Sequence, residues 1–428
     1  MKFFKSLLLL NLIFFYAAAI QAELRIEVKK KPVAALPVAV VPFGWQSPDT
    51  KAPVDIAAIV NADLSGSDYF KILPEQQMLT KPTSAAEVKF RAWQILGQDY
   101  VVVGKLAKVD NNYTIFFQLL AVSKKELLMD YKISTAEQGL RCAAHKISDL
   151  IYEKLSARKG IFSSKIAFVS HEVTGDNHLY KLQISALDGF DAKTVVSSSE
   201  PIMSPAVSPE GEKIAYVSFE SHRPVIFVQT LATAERRQVA AFSGINGAPA
   251  WSPDGKKLAV TLSKEGNPNL YILDLATTVL TQLTKMSGIN TEAAWSPDGQ
   301  AIVFTSDESG KPLLYKIPVN GGVAHRLTSE GDYNSNASFS PDGQKLVLVH
   351  GSDGSYKIAV LELSTGAINE LTSGSIDESP SFSSNGTMIL YATQKANKNS
   401  LAAISTDGKT QQKLDFKSSQ IYNPRWMP

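Results

Sequence analysis

The chain has 428 residues, 43 Lys and Arg against 41 Asp and Glu, and one cysteine. A balance this even excludes nucleic acid or an anionic membrane surface as the main partner, since both need clustered excess cation. One cysteine excludes an internal disulfide, so stability must come from core packing; Cys142, beside apolar neighbours on a predicted helix, reads as a small buried hydrophobe.

Residues 1–22 read as a cleaved secretory signal. Lys2 and Lys5 precede an apolar run from Leu7 to Ile20 that is short for a membrane span and has no basic stop behind it. Ile20-Gln21-Ala22 ends in a small residue, as a signal-peptidase site does, and no cysteine follows to make a lipoprotein. Without the signal the chain has 41 basic and 41 acidic residues. Residues 23–35 are expected to form a flexible N-terminal segment. Leu24, Ile26 and Val28 alternate with charged residues ahead of Lys29-Lys30-Lys31-Pro32, a strand-like pattern able to add to another sheet.

Residues 36–158 mix strand and helix patterns. Pro37 to Phe43 is an apolar run consistent with a buried strand. Asp55 is placed to cap a helix beginning there, and Ser84 to Leu96 predicts a second one, with Val88, Ala92, Ile95 and Leu96 as its apolar positions. Tyr100–Val103, Tyr113–Leu120 and Leu127–Ile133 read as strands, with a turn at Asp110-Asn111-Asn112. Leu140, Ala144, Ile147, Ile151 and Leu155 give a long helix one buried stripe. The order β-α-β-α-β-β-β-α fits a small α/β sandwich.

Residues 159–428 repeat themselves. Val207-Ser208-Pro209-Glu210-Gly211, Trp251-Ser252-Pro253-Asp254-Gly255, Trp295-Ser296-Pro297-Asp298-Gly299, Phe339-Ser340-Pro341-Asp342-Gly343 and Phe382-Ser383-Ser384-Asn385-Gly386 place their glycines 44, 44, 44 and 43 residues apart. Four strands per repeat of this length make one propeller blade, and the strands after the turns, starting near Ile166, Ile214, Leu258, Ile302, Leu346 and Met388, count six blades. The first repeat lacks its opening strand, and Trp426 stands 44 residues after Phe382. The C-terminal strand is therefore expected to complete blade one and close the ring. The fold expected is an α/β N-terminal domain followed by an all-β six-bladed β-propeller closed by the C-terminal strand.

Catalytic signatures are missing. There is no Gly-x-Ser-x-Gly elbow, no Gly-rich phosphate loop and no metal-binding helix motif, and the six histidines are scattered. His171 and His178 lie seven residues apart across a hairpin loop. The repeated Asp beside Pro and Gly is a turn former rather than a calcium ligand. The informative residues stand just ahead of the aromatic of each first strand: Ile202 and Met203, Asn246 and Gly247, Thr291 and Glu292, Ser335 and Asn336, Asp377 and Glu378, Ile421 and Tyr422. They predict a polar, mildly acidic ring at the tunnel entrance, fit to bind a partner. The alternative is a propeller-based periplasmic hydrolase or a glycan-binding protein, for which Asp377, Glu378 and Glu292 would be the carboxylates.

The chain resembles the TolB family, the periplasmic components of the Tol–Pal system of Gram-negative bacteria. The resemblance runs through Glu23-Leu24-Arg25-Ile26-Glu27-Val28, Val40-Val41-Pro42-Phe43, Leu96-Gly97-Gln98-Asp99-Tyr100-Val101-Val102-Val103-Gly104 and His145-Lys146-Ile147-Ser148-Asp149. In the propeller it rests on Met203-Ser204-Pro205-Ala206, Asn246-Gly247-Ala248-Pro249-Ala250, Asn290-Thr291-Glu292 and Ser405-Thr406-Asp407-Gly408. It implies a non-enzymatic adaptor without cofactor or metal, acting in outer-membrane integrity and invagination at cell division. By the resemblance, the propeller mouth binds the peptidoglycan-associated lipoprotein Pal through Pro201, Met203, Asn246, Ala248, Thr291, Glu292 and Glu378. The segment Glu23, Leu24, Arg25, Ile26, Glu27 and Val28 binds TolA, and colicins and other outer-membrane lipoproteins are further partners. Ile245 stands where a member of the family carries histidine.

Overall fold

The computed structural model describes residues 35–47, 51–67, 69–352, 354–395, 398–414, 416 and 420–428. The expected signal and the segment at residues 23–28 lie outside them. Strand β1 (Leu36–Val40) is central in a sheet ordered β3-β1-β4-β5-β6, which explains its unbroken apolar sequence. Its neighbours are β3 (Phe70–Ile72) and β4 (Tyr100–Val109), both parallel to it. A two-residue strand, β2 (Gly44–Trp45), pairs with β4. The meander continues through β5 (Asn112–Ala121) and β6 (Glu126–Thr135), longer at each end than the apolar runs alone suggest. Helix α1 (Ile56–Ser65) starts as expected: the Asp55 carboxylate accepts the Ala58 N–H at 2.9 Å.

Two expectations fail in this region. Ser84–Leu96 is not one helix. Glu87 folds back to accept the Thr83 N–H at 2.8 Å and the Ser84 hydroxyl at 2.7 Å, which completes a single 3₁₀ turn at Ala85–Glu87. The chain is extended at Val88 before α2 (Phe90–Ile95) begins; Val88 and Trp93 are buried, and Ile95 faces solvent at 72 % exposure. Cys142 is exposed, not buried. Helix α3 (Leu140–Ser156) buries Leu140, Ala144, Ile147 and Ile151, and Cys142 lies about 200° round the helix from Leu140.

From residue 165 the described residues form six four-stranded sheets. Blade one consists of β7 (Lys165–Thr174), β8 (Asn177–Ala186), β9 (Lys193–Ser198) and the closing strand Gln420–Trp426, which pairs antiparallel with β7 and sets Trp426 opposite Ile166. The core lies between blades. One cluster joins Ala215, Val217 and Ile226 of blade two to Trp251, Leu258 and Val260 of blade three. Trp251 and Trp295 each donate their indole N–H to the inner strand of the preceding blade, at Ala206 O (2.9 Å) and Ala250 O (3.1 Å).

The repeated turn is a small hydrogen-bonded unit. The Ser252 hydroxyl donates to Asp254 Oδ1 at 2.6 Å and accepts the Lys257 N–H at 2.9 Å; Ser296 and Ser340 do the same. The five turn glycines have φ between 67° and 74°, which closes each hairpin at little cost. The Leu-Thr endings have a matching role: the hydroxyls of Thr284, Thr328 and Thr372 accept the N–H groups of Leu270, Leu314 and Ile358.

Each inner strand is broken by a β-bulge at one level. There a non-glycine residue is left-handed: Ser204, Ala248, Glu292, Asn336, Ser379 and Asn423, with φ between 44° and 56°. The pairing register corrects the expected ring. Asn290 and Thr291, and Asn334 and Ser335, occupy the places of Asn246 and Gly247. Glu292 and Asn336 stand one place deeper, at the bulge with Ala248.

The α/β layer meets the propeller at blades one and six. His145 of α3 lies 2.8 Å from Asp63 of α1 and 3.5 Å from Asp188 in the β8–β9 loop. Arg141 also donates to Asp188 and lies over the Phe190 ring. Burial works against a charge on His145, but its bonds to Asp188 and Asp63 outweigh it and push the imidazole up to about 9. Asp188 is partly buried, yet its bonds to His145 and Arg141 hold its carboxyl well below the usual range. On the other side, Gln412 of blade six donates to Gly66 O, and Asn385 donates to Lys159 O at 2.7 Å.

Candidate functional site: the propeller mouth

The inner strands enclose a cavity of about 1340 Å³. At its mouth the predicted residues separate into two kinds. Met203 (39 % exposed) and the half-buried Pro201, Ala248, Thr291 and Glu378 remain accessible. Asn246 does not: it is fully buried, accepts the Phe242 N–H at 2.9 Å and donates to Phe242 O and Gly244 O. It staples the loop that leads into its strand. Glu292 is committed as well. Its carboxylate accepts from Thr305 Oγ1 and from the Asn336 backbone N–H, both at 2.8 Å, which ties blade four to blade five. Asn423 makes the same link from blade one to the Ser204 N–H of blade two at 3.3 Å. The bulge level is therefore a belt of inter-blade bonds.

Glu378 differs. It makes no hydrogen bond among the described residues, it lines the cavity, and burial raises its carboxyl above the ordinary value. Arg425, on the blade opposite Glu292, donates through Nη1 to Pro424 O at 3.1 Å and Ser379 O at 3.3 Å. Burial lowers it and the distant Glu292 supports its charge. The mouth thus holds an uncommitted carboxylate and, deeper, one cation.

Asp377 is a misfit. It occupies the place of Asn246, Asn290 and Asn334, whose amides donate to loop carbonyls, but a carboxylate has no such donor. Asp377 is 1 % exposed, and neither oxygen has a hydrogen-bond partner among the described residues.

Sequence reasoning missed an apolar collar. Ile245, Ile289, Tyr333 and Ile376 each stand one residue ahead of the buried Asn or Asp, and the three isoleucines are exposed. With Met203 and Tyr356 they give the polar opening an apolar edge on blades two to six. The repeat itself carried the signal: 245, 289, 333 and 376 step by the same 44, 44 and 43 residues as the turns. Ile245 is thus one stave of the collar, at 47 % exposure. Arg425 was missed because the other blades carry Ala or Ser at its position.

The sequence matches the TolB amino-terminal domain family over residues 24–128 and the TolB beta propeller domain family over residues 152–428. It is 58 % identical over 412 residues to the Tol-Pal system protein TolB of Methylococcus capsulatus, covering 96 % of each chain. With the protein of the same name from Nitrosococcus oceani it shares 55 % identity over 410 residues, 95 % of this chain and 94 % of that one. The crystal structure of TolB from Acinetobacter baumannii superimposes with a TM-score of 0.85 at 39 % identity, covering 92 % of this chain and 97 % of that one. A six-bladed ring behind an α/β layer, matched along nearly its whole length by these sequences and this structure, belongs to the TolB family of the Tol–Pal system.

Proposed function

We propose that the protein is a non-enzymatic periplasmic adaptor, exported by the signal at residues 1–22, that supports outer-membrane integrity and invagination at division. In this reading its propeller mouth grips a loop of the lipoprotein Pal, and its N-terminal segment (Glu23–Val28) engages TolA. Colicins and other outer-membrane lipoproteins compete for the same mouth. The observation that carries the reading is the mouth's composition: an apolar collar around an opening in which Glu378 has no hydrogen-bond partner among the described residues. A protein loop with apolar shoulders and a polar tip fits this pattern, since apolar contact gives affinity and a buried polar group gives register. A hydrolytic reading needs two accessible carboxylates, but Glu292 is already bonded to Thr305 and Asn336 and Asp377 is only 1 % exposed, which leaves Glu378 alone.

The test is binding of purified Pal and TolA by calorimetry. Glu378→Gln is expected to weaken Pal by about 1–3 kcal/mol, the cost of a lost buried polar contact, and to leave TolA binding intact. Deletion of residues 23–34 is expected to abolish TolA binding and spare Pal. Full Pal affinity in Glu378→Gln together with Ile245→Asp would overturn the mouth as the docking surface.

A further inference from the structure

The β7–β8 hairpin of blade one carries two imidazoles that the mouth does not use. In the strand register Tyr180 is opposite His171 and His178 is opposite Val173, so both histidines share one face on a diagonal. His171 Nε2 and His178 Nδ1 are 2.9 Å apart. Their ring planes differ by 13° with centroids 5.1 Å apart, so the rings meet edge to edge, nitrogen to nitrogen. Tyr180 stacks on His171 at 4.1 Å and fixes its plane.

We propose that His171 and His178 form a chelating site for a divalent late transition-metal ion, Cu(II) above all, with Nε2 and Nδ1 as donors and solvent in the remaining positions. Two imidazole nitrogens bound cis, at right angles and about 2.0–2.1 Å from a metal, stand about 2.9 Å apart, and the tetragonal geometry with nitrogen and oxygen donors suits Cu(II). The ligating form is neutral imidazole, the form in which both ring nitrogens of the pair can offer a lone pair to the ion. On binding, the hydrogen in the N–H···N bridge gives way to the ion. The ring that carried it moves its N–H to the other nitrogen, and each ring turns by about 45°, the base angle of a right-angled N–metal–N triangle, to aim its lone pair at the ion. The Lys181–Glu172 pair, at 2.9 Å, lies on the opposite face of the hairpin, so no ammonium crowds the ion. Among the described residues no third His, Cys, Asp or Glu joins the pair, which leaves open positions on the metal. They lie on the mouth side of the propeller, because His171 pairs with Gln420, from which the closing strand runs to Tyr422 and Asn423 at the rim.

Tag-free protein titrated with Cu(II) alone is expected to take up one ion, with an electron paramagnetic resonance spectrum showing two equatorial imidazole nitrogens. His171→Asn and His178→Asn should each weaken uptake by at least about tenfold, as loss of a ligand must. His222→Asn and His325→Asn should not. The metal-free thermal midpoint of His178→Asn, on an exposed hairpin, should match the wild type, so that lost uptake is not lost folding. No uptake by the wild type, or an unchanged spectrum in His178→Asn, would overturn the site.

Discussion

A single amide separates blade six from blades three, four and five. Asn246, Asn290 and Asn334 each donate to a loop carbonyl from a buried position, whereas Asp377 offers two unpartnered oxygens at the same place. Asp377→Asn restores the donor and is expected to stabilise the protein by about 1–3 kcal/mol, read as a higher denaturant midpoint with an unchanged slope. A second contrast concerns the two glutamates of the mouth. Glu292→Gln keeps an acceptor for the Thr305 hydroxyl and the Asn336 N–H but gives up charge, so its expected cost is to stability first and, under the proposed function, to Pal affinity second. Glu378→Gln should do the reverse, since Glu378 holds no blade together.

Among the elements, the closing strand is the one on which the ring depends. Gln420–Trp426 supplies the inner strand of blade one, buries Ile421 and Trp426, and takes a bond from its backbone at Trp426 to the Ser381 hydroxyl of blade six at 3.0 Å. Removal of residues 423–428 is expected to unfold the propeller in one cooperative step at a thermal midpoint well below that of the whole chain, measured by near-ultraviolet circular dichroism. This strand was legible in the sequence because the repeat period placed Trp426 without any knowledge of packing. The same period would have located the collar at 245, 289, 333 and 376. The bulge was not legible, since no glycine marks it, although the 44-residue period aligns Glu292 and Asn336 with Ala248 rather than with Gly247. The break at Val88 was hidden for a different reason. Helical spacing over Ser84–Leu96 is real, but a capping interaction by Glu87 ends the turn before propagation starts. Cys142 was misread because a residue two places from a buried stripe faces away from it.

At the scale of the molecule, the α/β layer sits astride the junction of blades six and one, bonded to blade one through Asp188 and to blade six through Gln412 and Asn385. His145 is the charged centre of that contact and sets a pH dependence. Its folded value is raised from 6.5 to about 9, so its contribution is complete below pH 6.5 and is lost as pH climbs through 9. The expected loss between pH 6 and pH 10 is on the order of 3 kcal/mol, read from denaturant unfolding, and His145→Gln should flatten that difference. Asp188 acts at the other extreme: its depressed carboxyl stabilises the fold above the usual carboxylate range and ceases to do so only in strong acid. The order of the strands has a consequence in time. β7 of blade one is made early and its partner last, His171 facing Gln420 249 residues further on, so a growing chain carries an unzipped seam until the tail arrives. Synthesis and folding are thereby put in sequence: five blades can stack as they emerge, but the wheel locks only when the final strand has been made, and any chain cut short presents bare strand to whatever protease or chaperone is waiting.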